Sequence, residues 1–197
     1  ILAVLFLGLL TFVFAEYPSI EKCNHPSAMA NFNQKKFLDG KWFVTKAKHG
    51  SNSTVCREYR AKTKGRDQVL IGDGYYSFGD GTVYFKVRCK RLPNEDTKMK
   101  FTCTQTKPGD KNLKITFKLE VTILLTDYAN YAVMYRCFQF PPKFGSIFEE
   151  NTLLLHRDVN KLVDENEIEK TVKFSFDEFK SREDVVCTPL PPKEKKE

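Results

Sequence analysis

The most regular feature of the chain is a two-residue alternation of apolar and polar positions. From Thr82 to Cys89, Val83, Phe85, Val87 and Cys89 share one face, and Tyr84, Lys86 and Arg88 share the other. From Lys98 to Gln105, Met99, Phe101 and Cys103 alternate with Lys98, Lys100 and Thr102. Leu113 to Val121 is the clearest run, with Leu113, Ile115, Phe117, Leu119 and Val121 set between Lys114, Thr116, Lys118 and Glu120. Tyr131 to Cys137 continues the series. Side chains of an extended strand point alternately to its two faces, so each run predicts a strand with one dry and one wet face. Asp80-Gly81 and Pro108-Gly109-Asp110 read as turns between them. One strand per roughly eight to twelve residues is the rhythm of an antiparallel barrel or sandwich.

The period changes once. Val163 to Val172 carries Val163, Ile168 and Val172 among Asp164, Glu165, Glu167, Glu169 and Lys170. This predicts an amphipathic helix whose acids sit in its first turn, where the helix dipole favours them. Strands, then a helix, then a last cysteine fit an up-and-down barrel with a helix packed on its outside.

The two ends differ from this body. Ile1 to Ala15 holds no charge, is too short to span a bilayer, and ends Val13-Phe14-Ala15, so it reads as a secretory signal peptide. Pro189 to Glu197 is a Pro/Lys/Glu tail with nothing to bury, and disorder is expected there. One domain is therefore expected over residues 16–188. No later segment is apolar enough to insert into a membrane, so a secreted, extracellular and monomeric protein is expected.

The cysteines agree with that compartment. Cys23, Cys56, Cys89, Cys103, Cys137 and Cys187 form an even set without any Cys-x-x-Cys pair, which reads as three disulfides. Spacing alone leaves all fifteen pairings open. Asn52-Ser53-Thr54 is an N-glycosylation sequon, placing Asn52 on an exposed loop. The net charge is +7. A basic balance favours anionic partners, but the lysines alternate along strands as a wet face does, and a secreted, disulfide-bonded chain is a poor candidate for nucleic acid.

Catalytic chemistry finds no support. His25, His49 and His156 lie in unrelated contexts without metal-ligand spacing. There is no Ser/His/Asp arrangement. Glu149-Glu150 reads as a strand edge and Asp164-Glu165 as a helix start, not as a carboxylate pair across a cleft. The expectation is a non-enzymatic protein without metal.

Phe37 to Thr45, with Gly40-Lys41-Trp42 at its centre, resembles the Gly-x-Trp opening of a lipocalin, in which the tryptophan closes the barrel base. Ser53 to Tyr59, Gly72 to Ser77, Thr82 to Cys89 and Phe101 to Thr106 are similar to the salivary lipocalins of triatomine bugs. The pallidipin and triabin group is the nearest, and nitrophorins are more distant. The resemblance implies an all-β fold, an eight-stranded antiparallel up-and-down barrel with a C-terminal helix outside. It also implies Cys23–Cys137 and Cys56–Cys187. Cys89 and Cys103 then remain, on dry faces of successive strands, where a cross-strand bridge is reasonable. Nitrophorins hold haem through a histidine in a stretch that matches Gly74-Tyr75-Tyr76-Ser77 here. That histidine is absent, so no cofactor is expected.

The resemblance further implies capture of a small lipid mediator, thromboxane A2 or a cysteinyl leukotriene, so as to block platelet aggregation. The dry faces carry Phe85, Phe101, Phe117, Tyr131 and Tyr135 and no formal charge, and would line an apolar cavity. With Trp42 inward, parity turns Val44 and Lys46 inward, and on the next strand Arg57 and Tyr59. Lys46 or Arg57 would meet a ligand carboxylate, with Tyr59 or Tyr75 donating a hydrogen bond. Two alternatives follow from the same family. A biogenic amine would need an internal acid, for which Glu58 or Asp73 are the candidates. A thrombin inhibitor would act through its outer surface, although a basic chain suits an anion-binding exosite poorly.

Overall fold

A computed structural model describes residues 17–64, 67–78, 81–93, 98–145 and 147–192. The expected signal peptide, Asp80 of the first expected turn, and the last five residues of the tail lie outside the described residues.

Each alternating run is a strand, and each is longer than the alternation alone defines. The strands are β1 (Lys41–Ala47), β2 (Glu58–Lys64), β3 (Asp67–Ile71), β4 (Gly74–Phe78), β5 (Gly81–Arg91), β6 (Lys98–Lys107), β7 (Asp110–Thr126), β8 (Tyr131–Gln139), β9 (Phe148–His156) and β10 (Lys180–Ser181). The described residues also include three short α-helices, α1 (Gln34–Phe37), α2 (Asn52–Val55) and α3 (Glu165–Val172), and a single 3-10 turn at Pro142–Phe144. The strands pair antiparallel in sequence order, and β1 pairs with both β2 and β9, so the sheet closes on itself. Closure leaves no long edge to be protected.

The barrel has eight strands because β3 and β4 are two halves of one. Ile71 opposes Arg88 and Gly74 opposes Phe85, the same register continued across the gap. In the gap, Gly72 N–H donates to Val87 C=O at 3.1 Å, and the Asp73 carboxylate accepts from Val87 N–H at 2.8 Å. A side chain thus takes over one backbone ladder bond. β10 is a two-residue addition outside the circuit, on β1.

One end of the barrel is packed shut. Trp42 is buried against Phe37, and its indole N–H donates to Phe37 C=O at 2.8 Å. Met99, Phe101, Val121, Met134 and Leu155 complete this dry base. Arg157 lies across the outside of it, with its guanidinium 3.6 Å from the Trp42 ring centre, and it donates to the carbonyls of Asp39, Lys41 and Tyr128. Gly40 adopts φ +71°, a left-handed conformation that a side chain resists, and a Cβ there would stand 3.2 Å from that guanidinium.

α3 packs on the outside wall. Asp164 caps it by accepting from Glu167 N–H at 3.2 Å, so the helix starts after Asp164, later than the apolar period implies. Ile168 is buried against Val133 and Leu154, with Val163 and Val172 beside it. On the neighbouring wall the chain before α1 runs as an arm. It is held by the Cys23–Cys137 bridge, by His25 between Thr122 and Glu120, and by Met29 N–H to Ile123 C=O.

The other bridges are Cys56–Cys187 and Cys89–Cys103, the latter joining residues directly opposite on β5 and β6. The two long bridges span 114 and 131 residues. In the chain-entropy picture a loop of that length stabilises by about 5 kcal/mol, less any cost of holding the native geometry. Replacing Cys56 and Cys187 together by Ser is expected to lower unfolding stability by about 3–5 kcal/mol in a urea titration, while the β-sheet circular dichroism is kept in the absence of urea.

Candidate functional site: a cavity with buried guanidinium groups

The end opposite Trp42 is open, and it leads to a cavity of about 920 Å³. That volume lies in the range of small-molecule sites. Most of its wall is apolar: Leu70, Val87, Phe117, Leu119, Phe138, Phe140 and Ile147. The Cys89–Cys103 bridge reaches it through Cys89. At the mouth stand Ser51, Ser53, Thr54 and Ser77, together with Tyr17 to Ile20 of the N-terminal arm.

Charge enters this apolar wall at Arg57 and Arg136, and Glu149 is the only carboxylate among the described lining residues. Arg136 is buried, and its Nη1 donates to Glu149 Oε1 at 2.9 Å while its Nη2 donates to the Tyr17 hydroxyl at 3.1 Å. Burial works against the Arg136 charge, but the Tyr17 and Glu149 oxygens outweigh it and hold the proton more tightly than usual. Burial also raises the Tyr17 pKa, opposed in part by Arg136. Arg57 is buried as well, with its guanidinium stacked 3.5 Å from the Tyr76 ring centre and its Nη2 donating to Tyr75 C=O at 3.1 Å. Gly74 makes room for this stacking, since a Cβ there would lie 3.4 Å from Arg57 Nε. The Nε–H groups of both arginines are buried without a hydrogen-bond partner among the described residues. A buried donor without a partner is costly, and an acceptor brought by a ligand would relieve it.

The expected site residues divide by parity. Arg57, Tyr59 and Phe117 line the cavity together. Phe85 and Phe101 face inward but lie off its wall, Phe85 edge-on to Tyr76 and Phe101 down in the base. Lys46, Tyr75, Tyr131 and Tyr135 were expected inside, and all four face outward. For Lys46 the cause is a bulge between Val44 and Lys46, which lets Val44 and Ala47 face in. Lys46 pairs instead with Glu165 of α3 at 2.6 Å. Tyr75 turns out against Tyr84, and the inward residue is its neighbour Tyr76. On β8, Met134, Arg136 and Phe138 face in, while Tyr131 packs near α3 and Tyr135 bonds Glu150 at 2.6 Å under the arm. Both faces of β8 are buried, so its polarity gives no contrast to read. The dry faces of the alternating runs were also expected to carry no formal charge, and Arg136, inward on β8, corrects that.

Neither acid considered for an amine reaches the cavity. Glu58 pairs with Arg60 at 3.0 Å on the outer face, and Asp73 is engaged by Arg88 and Val87 N–H. Cys23, His25 and Glu120 converge on the outer wall, but the Cys23 sulfur is bonded to Cys137. Asn52 is exposed in the first turn of α2, beside the cavity mouth. Among the described residues, no helix is long and apolar enough to cross a membrane.

A family model described as Triabin matches residues 15–189. The chain belongs to the triabin family. It is 69% identical over 200 residues to triafestin-1 of Triatoma infestans, covering 100% of this chain and 97% of that one. It is 30% identical to dipetalodipin of Dipetalogaster maximus, covering 95% and 98%. Among solved structures, a biogenic amine-binding protein superposes with a TM-score of 0.62 at 17% identity, covering 81% of this chain and 86% of that one. A leukotriene C4 complex of a protein designated LTBP1 superposes at 0.54 and 19%, covering 80% and 91%. At such identities these two likenesses concern the barrel fold, which this triabin-family chain shares.

Tyr76 offers a direct probe of the cavity wall. Burial pushes its phenol up to about 12, partly opposed by Arg57. The folded state therefore favours the neutral phenol. Its contribution to stability is complete below pH 10, the ordinary tyrosine value, and is lost as pH rises through about 12. In a spectrophotometric titration, the difference between the parent chain and Tyr76→Phe is expected to show one phenol ionising near pH 12 instead of 10.

Proposed function

We propose that this triabin-family protein is secreted in saliva and captures an anionic lipid mediator of the eicosanoid class, thromboxane A2 or a cysteinyl leukotriene, one molecule per barrel and without catalysis. Removing such a mediator from the bite would suppress platelet aggregation. The carrying observation is the presence of two buried guanidinium groups, Arg57 and Arg136, in an otherwise apolar cavity where Glu149 is the only described carboxylate.

The physical argument is one of matching. An acyl chain suits the wall of Phe117, Leu119, Phe138 and Phe140, since burying it removes apolar surface from water. A carboxylate suits Arg57, whose positive charge has no carboxylate partner among the described contacts and whose Nε–H is unsatisfied. Charge-assisted hydrogen bonds of this kind are worth about 1.5–3 kcal/mol each. Arg136 already has Glu149, so it orders the wall, and Arg57 is the anchor. The amine reading would have to use Glu149, and an incoming ammonium would compete with Arg136 for it while facing Arg57.

Calorimetric titration tests this with a stable thromboxane analogue, leukotriene C4 and serotonin. Near one-to-one binding of an eicosanoid is expected, weakened about 10- to 100-fold by Arg57→Gln. Heat with serotonin alone would move the function to the amine class and to Glu149. Silence with all three would direct attention to a protein partner on the outer surface.

A further inference from the structure

The barrel wall has a second feature, on the face turned away from the cavity. Register brings the outward residues of β2, β3, β5, β6 and β7 into rows that cross the strands. One row runs Lys62, Val69, Lys90, Thr102, Lys118. Two residues along, the next runs Arg60, Ile71, Arg88, Thr104, Thr116. A third runs Asp73, Lys86, Thr106, Lys114, with Asp73 opposite Lys86 in the register that β3 and β4 share. With strands about 4.8 Å apart and like-facing residues about 6.8 Å apart along each, the patch is about 19 Å wide and 14 Å tall.

Every charge within the first two rows is positive, and in the third the Asp73 carboxylate is taken up by Arg88. Two acids adjoining the rows are likewise engaged, Glu58 with Arg60 and Glu120 with His25. Lys62, Arg88, Lys90, Lys114 and Lys118 are exposed. Among the described residues, the N-terminal arm and α3 pack on β7, β8 and β9 rather than on β2, β3, β5 and β6. Alternation alone explains why lysines face water. It does not explain why acids are absent from two successive rows that each cross five strands, in a chain that carries 25 Asp and Glu.

We propose that this face binds a sulfated polysaccharide of the glycosaminoglycan type. Cations in a lattice about 7–10 Å apart match a linear polyanion, whose released counterions drive association. The threonines between them, Thr102, Thr104, Thr106 and Thr116, offer hydroxyl groups to sulfate and sugar oxygens. Single-stranded nucleic acid calls for aromatic platforms, and these rows hold none. Insertion into an anionic bilayer calls for protruding apolar side chains, whereas Ile71 is buried and the most exposed of the described ones, Leu162 and Val186, lie elsewhere. The face is independent of the cavity reading, since each of its strands turns its other residues inward.

The test is titration with a size-defined heparin oligosaccharide at several salt concentrations, on the parent chain and two triple variants. One is Lys62→Glu, Lys114→Glu and Lys118→Glu. The other is Lys22→Glu, Lys35→Glu and Lys48→Glu, with the same charge change away from the patch. A Lys62→Gln, Lys114→Gln, Lys118→Gln variant guards against misfolding by charge reversal. The face variants should bind at least tenfold more weakly at physiological salt, with a log–log salt slope shallower by about 2–3. The control should match the parent, and desulfated heparin should not bind. Equal weakening in face and control variants would overturn the proposal, reducing the effect to net charge. So would equal binding of desulfated heparin, of duplex DNA or of phosphatidylserine vesicles, or no binding by the parent.

Discussion

Closure of the sheet, made by β1 pairing with both β2 and β9, is the constraint on which everything else depends. A closed antiparallel sheet satisfies its backbone and assigns every second residue to an enclosed interior. Eight strands enclose slightly more space than the inward side chains fill. Trp42 and its neighbours fill the base, and the surplus gathers at the other end as one cavity. Such a partly hollow core forgoes packing energy. The long Cys23–Cys137 and Cys56–Cys187 bridges offset that loss by restricting the unfolded chain. The stability of the barrel and the existence of the site therefore have a common origin.

The charges inside the cavity follow a second logic. Moving a guanidinium out of water is expensive unless it is paired or hydrogen-bonded. Arg136 meets that demand with Glu149 and Tyr17, which ties the barrel wall to the N-terminal arm. Arg57 meets it only in part, through one carbonyl and a tyrosine face. An incompletely satisfied cation beside an apolar wall is a poor way to stabilise a fold and a good way to hold an amphiphilic anion.

Strands β5, β6 and β7 were legible in the sequence because one of their faces is wet, and Arg57 and Tyr59 followed from simple parity. The same rule failed at Lys46, where a bulge shifts the phase, and at Tyr131 and Tyr135, where the arm and α3 dry the outer face of β8. Arg136 had a signal that parity obscured: a lone charge in the apolar run from Tyr131 to Phe140, which marks a cation that folding must bury with a partner. Gly74 was a second signal, a strand glycine that leaves space for a neighbouring side chain. Tyr17 and Glu149 had none, because they reach the cavity from an irregular arm and the first residues of β9. Their roles exist only in three dimensions. Parity also explains how one wall serves two purposes, since β5 and β7 face the cavity with Val87 and Phe117 and the solvent with Arg88 and Lys118.

The central claim is that the cavity selects a negative charge attached to an apolar body. The most direct measurement compares a long-chain fatty acid with its methyl ester, identical in chain, by calorimetric titration against the same protein. The account predicts one-to-one binding of the carboxylate and binding of the ester at least tenfold weaker. Equal affinity for both would contradict it, leaving the guanidinium groups as structural elements and the cavity as a purely apolar container.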